Sequence, residues 1–324
     1  KIKKKYILLI GLGDWNISQL DIVKSMNFIS IVINKNKNSK SLKKSDIPII
    51  CDSRNHKRIF KILKKKKLHN KIKYVYTGSE FVSCVAYLAK KLKIKWHPVK
   101  SAIACENKNI QKKQLIDARI LTPKYYKLSN FKDFAFNKLK TKKIIFKPSD
   151  GHASKGVKII KKQKNCLSAF KFAKSFSKAG KVIVEEYIDG TLHDINGLVI
   201  NNKFYRLGIT DKSTCKPPHA VITKIISPST LSMLEQEKLY KKFIKACKIL
   251  KLSHGPVKGD YLRDKNGKFY LMEVSARFHG PLSTLYALPI SLNLTPFVEL
   301  LRYLSRKKIR THKIKKIVKK KTVI

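Results

Sequence analysis

The first third of the chain alternates short apolar runs with segments of helical periodicity. Four of the runs are typical of buried strands, and amphipathic segments separate them. The strands are predicted at residues 6–10, 28–33, 48–51 and 74–77, and the helices at residues 17–26, 55–63 and 80–92. Strands that alternate with helices form parallel sheets with right-handed crossovers. The pattern therefore predicts an α/β, doubly wound, Rossmann-like domain over residues 1–105.

After this domain the strands follow one another through short turns. Strands are predicted at residues 143–148, 157–160, 181–188, 194–200 and 203–209, and helices at residues 101–121, 167–178, 231–250 and 295–304. Hairpin connections make antiparallel sheets. We therefore expect an α+β domain over residues 106–305, with a small lobe at about 122–186 and a larger one at about 187–305. Residues 306–324 are expected to be a basic tail with no core of its own.

A hairpin in the larger lobe carries charged residues on strands that are otherwise apolar. Its first strand, Asn-Gly turn and second strand lie at residues 258–262, 266–267 and 269–277. Asp260 lies on the first strand and Glu273 on the second, and Arg277 follows four residues later. Buried carboxylates need a compensating charge. Two interpretations stay open at this point: a bound hard cation, or a structural ion pair between Glu273 and Arg277.

The chain is extremely basic, with 73 lysines and arginines, 20 aspartates and glutamates, and a formal net charge of +53. Such a charge is typical of proteins that bind nucleic acid or anionic surfaces. The excess is mostly lysine, however, and it is spread over every segment together with many isoleucines and asparagines. That distribution favours drift in an AT-rich genome over a nucleic-acid site. Residues 64–67 and 306–321 are the densest clusters.

The cysteines and the apolar runs indicate the compartment. Six cysteines are widely spaced and include no Cys-x-x-Cys pair, which argues for a reducing environment and against a disulfide framework or zinc knuckle. No apolar run approaches the ~18 residues of a membrane span, and the run at residues 6–10 is too short for a signal sequence. We therefore expect a soluble, cytoplasmic protein without a membrane partner. A homo-oligomer is compatible with the sequence.

The glycine turn after the first strand does not complete a dinucleotide-binding fingerprint. Gly11 and Gly13 fit its start, but Asn16 stands where a third glycine is expected. Asn34 stands where the second strand would end in an acidic residue. The favoured interpretation is a turn that lets the first helix pack on the sheet.

Four features of the second domain follow one another in an order that suits a nucleoside triphosphate. Lys108 and Lys147 are point cations for phosphate groups. The small-residue loop at 149–156 offers backbone N–H groups to phosphates. The acidic strand end at 185–188 offers a carboxylate and backbone groups to a base. The two carboxylates of the hairpin are the oxygen ligands that Mg²⁺ prefers.

These features resemble the ATP-grasp superfamily, and within it the carbamoyl-phosphate synthase, biotin carboxylase and glycinamide ribonucleotide synthetase type. The resemblance covers residues 108–280 and, more faintly, residues 1–100, which look like the family's N-terminal substrate domain. The motifs that carry it are Phe146-Lys147-Pro148, Ser154-Lys155-Gly156-Val157, Val184-Glu185-Glu186-Tyr187-Ile188-Asp189-Gly190, Gly259-Asp260-Tyr261 and Leu271-Met272-Glu273-Val274-Ser275-Ala276-Arg277.

The resemblance implies an ATP site. Lys108 and Lys147 match the family's two phosphate-binding lysines. The loop that closes over the phosphates is matched by Ser154, Lys155, Gly156 and Val157.

The base and ribose contacts are implied in the same way. Glu185 or Glu186 would accept a hydrogen bond from the adenine amino group, and Tyr187 and Ile188 would supply backbone contacts. Asp194 is the nearest carboxylate to the position that binds the ribose in the family.

The hairpin would then hold Mg²⁺ or Mn²⁺. Asp260 and Glu273 match the family's metal ligands, and Ser275 stands where the family usually has an asparagine ligand, which leaves open whether one metal ion or two bind. Arg277 matches the arginine that stabilises the transferring phosphoryl group, a catalytic role in which Lys147 would assist.

The implied activity is an ATP-dependent ligase that joins a carboxylate to an amine or to ammonia. ATP would phosphorylate the small-molecule carboxylate, and a nitrogen nucleophile would attack the acyl phosphate, so that ADP and phosphate are released. The alternative is a non-catalytic ATP-binding or polyanion-binding protein on the same fold. Neither substrate is named by the sequence.

Overall fold

The computed structural model describes residues 4–139, 141–151, 155–215, 221–312 and 322–324. Its first unit is a parallel sheet with the strand order β3-β2-β1-β4. The strands are β1 (Lys5–Ile10), β2 (Phe28–Asn34), β3 (Ile47–Ile50) and β4 (Ile72–Tyr76). The helices are α1 (Ser18–Ser25), α2 (Lys40–Lys44), α3 (His56–Lys65) and α4 (Val82–Lys91). Each strand and helix predicted here is present, and α2 was not predicted.

The helix predicted over residues 101–121 is instead two helices, α5 (Val99–Glu106) and α6 (Lys108–Asp117). The break lies at Asn107, whose backbone is extended and whose side chain accepts hydrogen bonds from two backbone N–H groups of α6. An asparagine favours this capping position over a helix interior. The break places Lys108 at the first turn of α6, where its backbone N–H donates to Ser149 O at 3.1 Å.

A small antiparallel sheet follows, with its own hydrophobic core. Its strand order is β5-β8-β6-β7, and α7 packs on it. The elements are β5 (Tyr125–Leu128), β6 (Ile144–Pro148), β7 (Lys158–Ile160), α7 (Cys166–Ser175) and β8 (Val182–Glu186). Phe146, Phe170 and Val184 are buried in this core. We call this unit the small lobe.

The larger antiparallel sheet has the order β13-β12-β9-β10-β11-β14. Its strands are β9 (Gly190–Ile200), β10 (Lys203–Thr214), β11 (Ile222–Ser227), β12 (Gly255–Asp264), β13 (Phe269–Ser275) and β14 (Thr322–Val323). The helices are α8 (Met233–Ile249), α9 (Leu288–Leu292) and α10 (Pro296–Leu304), and one π-helical turn covers Leu282–Ala287. One continuous core joins this sheet to the first unit. Strands β5, β11 and β14 were not predicted.

Part of the predicted basic tail is attached to the fold. Arg310 forms a 2.7 Å ion pair with the buried Glu299, and the His312 N–H donates to Arg206 O at 2.8 Å. Strand β14 pairs with β11. These contacts attach parts of the tail to the fold, and the prediction that residues 306–324 have no core of their own stays a prediction.

In the described part of the chain, no single helix is long and apolar enough to cross a membrane. Two consecutive segments, Leu282–Leu292 and Pro296–Leu304, are together long and apolar enough, but the chain bends by 87° between them.

Candidate active site

A cleft lies between the small lobe and the larger sheet, and most of the predicted residues line it. The small lobe contributes Lys147 on β6 and the strand end at 185–188, and the larger sheet contributes Asp260 and Glu273. The predicted residues in its lining are Lys108, Lys147, Lys155, Val157, Glu185, Glu186, Tyr187, Ile188, Asp260 and Glu273. Apolar side chains such as Ile145, Ile159 and Met272 form part of the wall. The cleft thus combines an apolar surface with cationic and anionic groups.

Glu185 is the centre of a buried ion-pair cluster at one end of the cleft. Its Oε1 atom lies 2.7 Å from Lys147 Nζ and 3.0 Å from Lys112 Nζ, and the glutamate side chain is fully buried. Although burial favours the neutral acid, the two ammonium groups lower the pKa of Glu185. Burial lowers the pKa of Lys112, against the opposing effect of Glu185. Glu185 therefore stays ionised and holds Lys147 in place.

The second carboxylate oxygen of Glu185 has no hydrogen-bond partner among the described residues, although it is buried. An unpaired buried acceptor is costly unless a ligand supplies a donor. The neighbouring Glu186 accepts a 2.7 Å hydrogen bond from the Lys124 N–H. The Tyr187 N–H donates to Lys143 O at 3.0 Å, so this N–H already has a partner.

Asp260 and Glu273 lie on adjacent strands of the hairpin of β12 and β13, and a register shift after Asp260 makes them face each other. Lys258 Nζ lies 2.5 Å from Asp260 Oδ2 and 3.9 Å from Glu273 Oε1. Lys108 Nζ lies 3.9 Å from Glu273 Oε2 and donates to Gly151 O at 2.5 Å. Burial opposes ionisation, but Lys258 and Lys108 lower the pKa of Glu273 to about 2. Both carboxylates are therefore ionised near neutral pH.

Asp194 lies opposite Asp260 on β9, in a second charged cluster. Lys212 bridges the two carboxylates, with its Nζ 2.9 Å from Asp260 Oδ1 and in contact with Asp194. His279 Nδ1 lies 3.1 Å from Asp194 Oδ2. Burial raises the pKa of Asp194 to about 7, while Lys212 acts in the opposite direction. The structure thus places Asp194 beside the predicted metal ligands, and its contact with a ribose stays a prediction.

The remaining predicted residues lie around this centre. Ser275 is buried at the end of β13, and Arg277 donates to the Phe278 carbonyl at 2.8 Å. The alternative ion pair between Glu273 and Arg277 is absent from the ion pairs of the described residues. Gly156 has a φ of +75°, and a Cβ atom there would lie 2.8 Å from Phe176 Cβ. Ser154 lies outside the described residues.

The donor set fits a hard divalent ion. Asp260 and Glu273 offer carboxylate oxygens from directly paired positions, and Asp260, Asp194 and His279 also lie close enough to share an ion. Ser275 stands where the resembled family usually has an asparagine, and its side chain offers one hydroxyl oxygen in place of an amide oxygen. Lysine ammonium groups already contact each of the two carboxylates. Whether one ion or two bind stays a prediction that the sequence left open.

Three lysines of this centre were missed as site residues at the sequence level: Lys112, Lys212 and Lys258. Each is buried or nearly so and contacts a predicted carboxylate. Lys258 carries a usable signal, since it precedes Asp260 by two residues and so shares its face of the strand. In a chain with 73 lysines and arginines this signal does not stand out.

Three comparisons bear on the fold and the site. A family model described as an ATP-grasp domain matches residues 105–281. The D-alanine–D-alanine ligase of Pelagibacter ubique is 30% identical over 200 residues, which cover 55% of this chain and 60% of that protein. The match therefore spans less than two thirds of this curated relative.

Solved structures share the fold over nearly the whole chain. The L-amino acid ligase from Bacillus licheniformis is similar with a TM-score of 0.81 and 19% identity, covering 96% of this chain and 78% of that one. The N5-carboxyaminoimidazole synthetase from Staphylococcus aureus, complexed with ADP, has a TM-score of 0.79 and 15% identity, covering 95% and 80%. These likenesses confirm the predicted fold class.

Proposed function

Because this chain belongs to the ATP-grasp family, we propose that it is an ATP-dependent ligase that joins a carboxylate to an amine or to ammonia. The observation that carries the proposal is the convergence of five charged groups on one cleft: Lys108, Lys147, Glu185, Asp260 and Glu273. The solved and curated proteins to which the chain is similar include two whose names are those of ligases for amino acids.

The small lobe would bind the nucleotide. Lys108 and Lys147 would contact the phosphates, and the loop at 155–157 would cover them. The Glu185 Oε2 atom would accept a hydrogen bond from the adenine amino group, because it is buried without a partner in a residue that lines the cleft. Glu186, Tyr187 and Ile188 would complete the base pocket.

The larger sheet would hold the reacting groups. Asp260 and Glu273 would hold Mg²⁺ or Mn²⁺, which when bound offsets the charge on the β- and γ-phosphates. Arg277 lies two residues beyond β13 and would stabilise the charge that develops on the transferring phosphoryl group. The carboxylate substrate must be phosphorylated because a free carboxylate is a poor electrophile. Closure of the small lobe would exclude water from the acyl phosphate.

Amino acids are the first substrates to test, because the D-alanine–D-alanine ligase and the L-amino acid ligase to which the chain is similar are named for amino acids. The experiment measures ADP release by the purified protein with Mg²⁺ or Mn²⁺ across pairs of amino acids, hydroxy acids, amines and ammonia. We expect at least one pair to stimulate ADP release. Glu273→Ala should lower that rate by about 100-fold or more, because it removes a metal ligand that serves the transition state, while nucleotide binding is retained through the small lobe. Failure of every pair would contradict the ligase function.

The alternative of a polyanion-binding protein is favoured by the charge of +53 alone. It predicts retention on heparin or DNA with a steep dependence on salt near physiological ionic strength. Under the proposed function, binding to these polyanions is weak at that salt and ATP does not compete with it.

A cytoplasmic location is part of the proposal. The cysteines of the described residues are free, and five of the six are buried. Unpaired thiols are typical of a reducing compartment.

A further inference from the structure

Lys258 places a buried ammonium group between the two carboxylates that would hold the metal. Its side chain is only 6% exposed, and its Nζ atom lies 2.5 Å from Asp260 and 3.9 Å from Glu273. The residue is on β12, which has β13 on one side and β9 on the other. The ammonium group therefore extends from an interior strand and is almost fully buried.

The register of the hairpin places Lys258 opposite Ser275 and next to the pair of carboxylates. Lys258 pairs directly with Ser275, and Asp260 pairs directly with Glu273 two residues along. Directly opposed side chains in an antiparallel pair start about 5 Å apart and project from the same face. The lysine side chain extends from its position opposite Ser275 towards Asp260 and Glu273, and Ser275 offers a single hydroxyl oxygen on the same face.

We propose that the Lys258 ammonium group takes the place of a second divalent ion, so that this protein binds a single divalent ion together with its nucleotide. The inference rests on the proposed function, because it concerns the same site. The ammonium lies against Asp260 Oδ2 and Glu273 Oε1 and repels a divalent ion there. The other oxygen of each carboxylate, which faces Lys212 or Lys108, would hold the one ion. The lysine also donates hydrogen bonds, so it can contact phosphoryl oxygens directly.

The test counts Mn²⁺ ions per bound nucleotide. Each protein is saturated with an ATP analogue that has a β,γ-imido bridge, and free Mn²⁺ is followed by its electron paramagnetic resonance signal during titration. The three proteins are the wild type, Ser275→Asn, and Lys258→Gln combined with Ser275→Asn. We expect one bound ion for the wild type and one for Ser275→Asn, because the ammonium remains. We expect two for the double variant, in which the charge is gone and an amide oxygen is present.

Each outcome bears on the inference. Two ions in the wild type would overturn it without any variant. Two ions in Ser275→Asn would also overturn it, since the amide alone would then recruit the second ion in spite of the lysine. A double variant that binds the analogue but holds one ion would show that Lys258 is not what excludes the second.

The same titration separates this inference from the proposed function. Analogue binding is measured in parallel by calorimetry, and circular dichroism checks that each variant is folded. Two ions with tight analogue binding would leave the ligase proposal intact and overturn only the role of Lys258. Absence of analogue binding by the folded wild type would overturn both.

Discussion

The ammonium group of Lys112 lies 3.0 Å from the carboxylate of Glu185, and these two side chains are 2% and 0% exposed. Lys112 is on α6 and Glu185 is at the end of β8, so the pair ties the small lobe to the helix that enters it. Charges buried to this extent depend on each other, since neither has water to replace its partner.

Glu185→Gln should therefore lower the free energy of unfolding by about 3 kcal/mol, because it leaves Lys112 and Lys147 without their counter-charge. Urea unfolding at neutral pH measures the change. Glu186→Gln is the matched control, since that side chain is more exposed and accepts a hydrogen bond from the Lys124 N–H. The control should lose about 1 kcal/mol or less. An equal decrease in the free energy of unfolding of the two variants would contradict the stabilising role of the buried Lys112–Glu185 pair.

Arg277→Lys should reduce the rate of ADP formation by about 100-fold in the presence of the best substrate pair. A lysine keeps the charge but loses the planar set of donors that fits a phosphoryl group. The affinity for the ATP analogue should change little, because Arg277 would act on the transition state. A parallel rise in the dissociation constant of the analogue would instead assign Arg277 to ground-state nucleotide binding.

His97 should make the protein less stable in mild acid. It is buried, its Nε2 atom lies 3.0 Å from Pro256 O, and burial lowers its pKa to about 3. The unfolded chain has the ordinary pKa of about 6.5 for histidine and so binds more protons below that pH. The contribution of His97 is complete above about pH 6.5 and is lost as the pH falls towards 3, with a slope approaching about 1.4 kcal/mol per pH unit.

Urea unfolding at about pH 7.5, 6 and 5 checks this for the wild type and for His97→Gln. Between about pH 6 and pH 5 the free energy of unfolding should fall less for His97→Gln than for the wild type. Burial also lowers the pKa of His254, to about 4, so the free energy of unfolding of both proteins still decreases as the pH falls. Identical slopes would show that His97 is not neutral in the fold.

Gly11→Ala should destabilise the first unit by about 2 kcal/mol, since a side chain there meets both strain and a steric clash. Gly11 has a φ of +63°, and a Cβ atom would lie 2.0 Å from the ring of Phe81. Gly13→Ala is the matched control, because a Cβ atom there would meet no described atom within 4 Å. Its cost should stay within about 0.5 kcal/mol. A larger loss of stability in Gly13→Ala than in Gly11→Ala would contradict the packing role of Gly11.

Apolar runs and turn residues were sufficient to predict most of this fold. The Asn266-Gly267 pair was sufficient to predict the hairpin, and Gly267 has a positive φ. A bulge between Asp260 and Tyr261, which the sequence does not show, shifts the register so that Asp260 pairs with Glu273. The break at Asn107 was missed because apolar residues at helical spacing continue through it, so that only the capping contact ends α5. Strand β14 has two residues, too few to show a periodicity.

The site was predicted as far as its residues follow family motifs. Lys147, Glu185, Asp260 and Glu273 do, and the structure brings them to one cleft. Lys212 reaches Asp260 from a different strand, across 48 positions of sequence, and only the folded sheet makes that contact. Spacing along the chain carries no information about such a pair.

The separate core of the small lobe has a further consequence. No described residue belongs both to that core and to the core of the rest of the protein. Lys108 with Gly151 and Lys112 with Glu185 are polar links between the two parts. Movement of the lobe that opens the cleft would therefore expose little of either hydrophobic core, and its main cost would be the breaking of these polar links. Release of product would then be governed by charge, and its rate should rise with ionic strength.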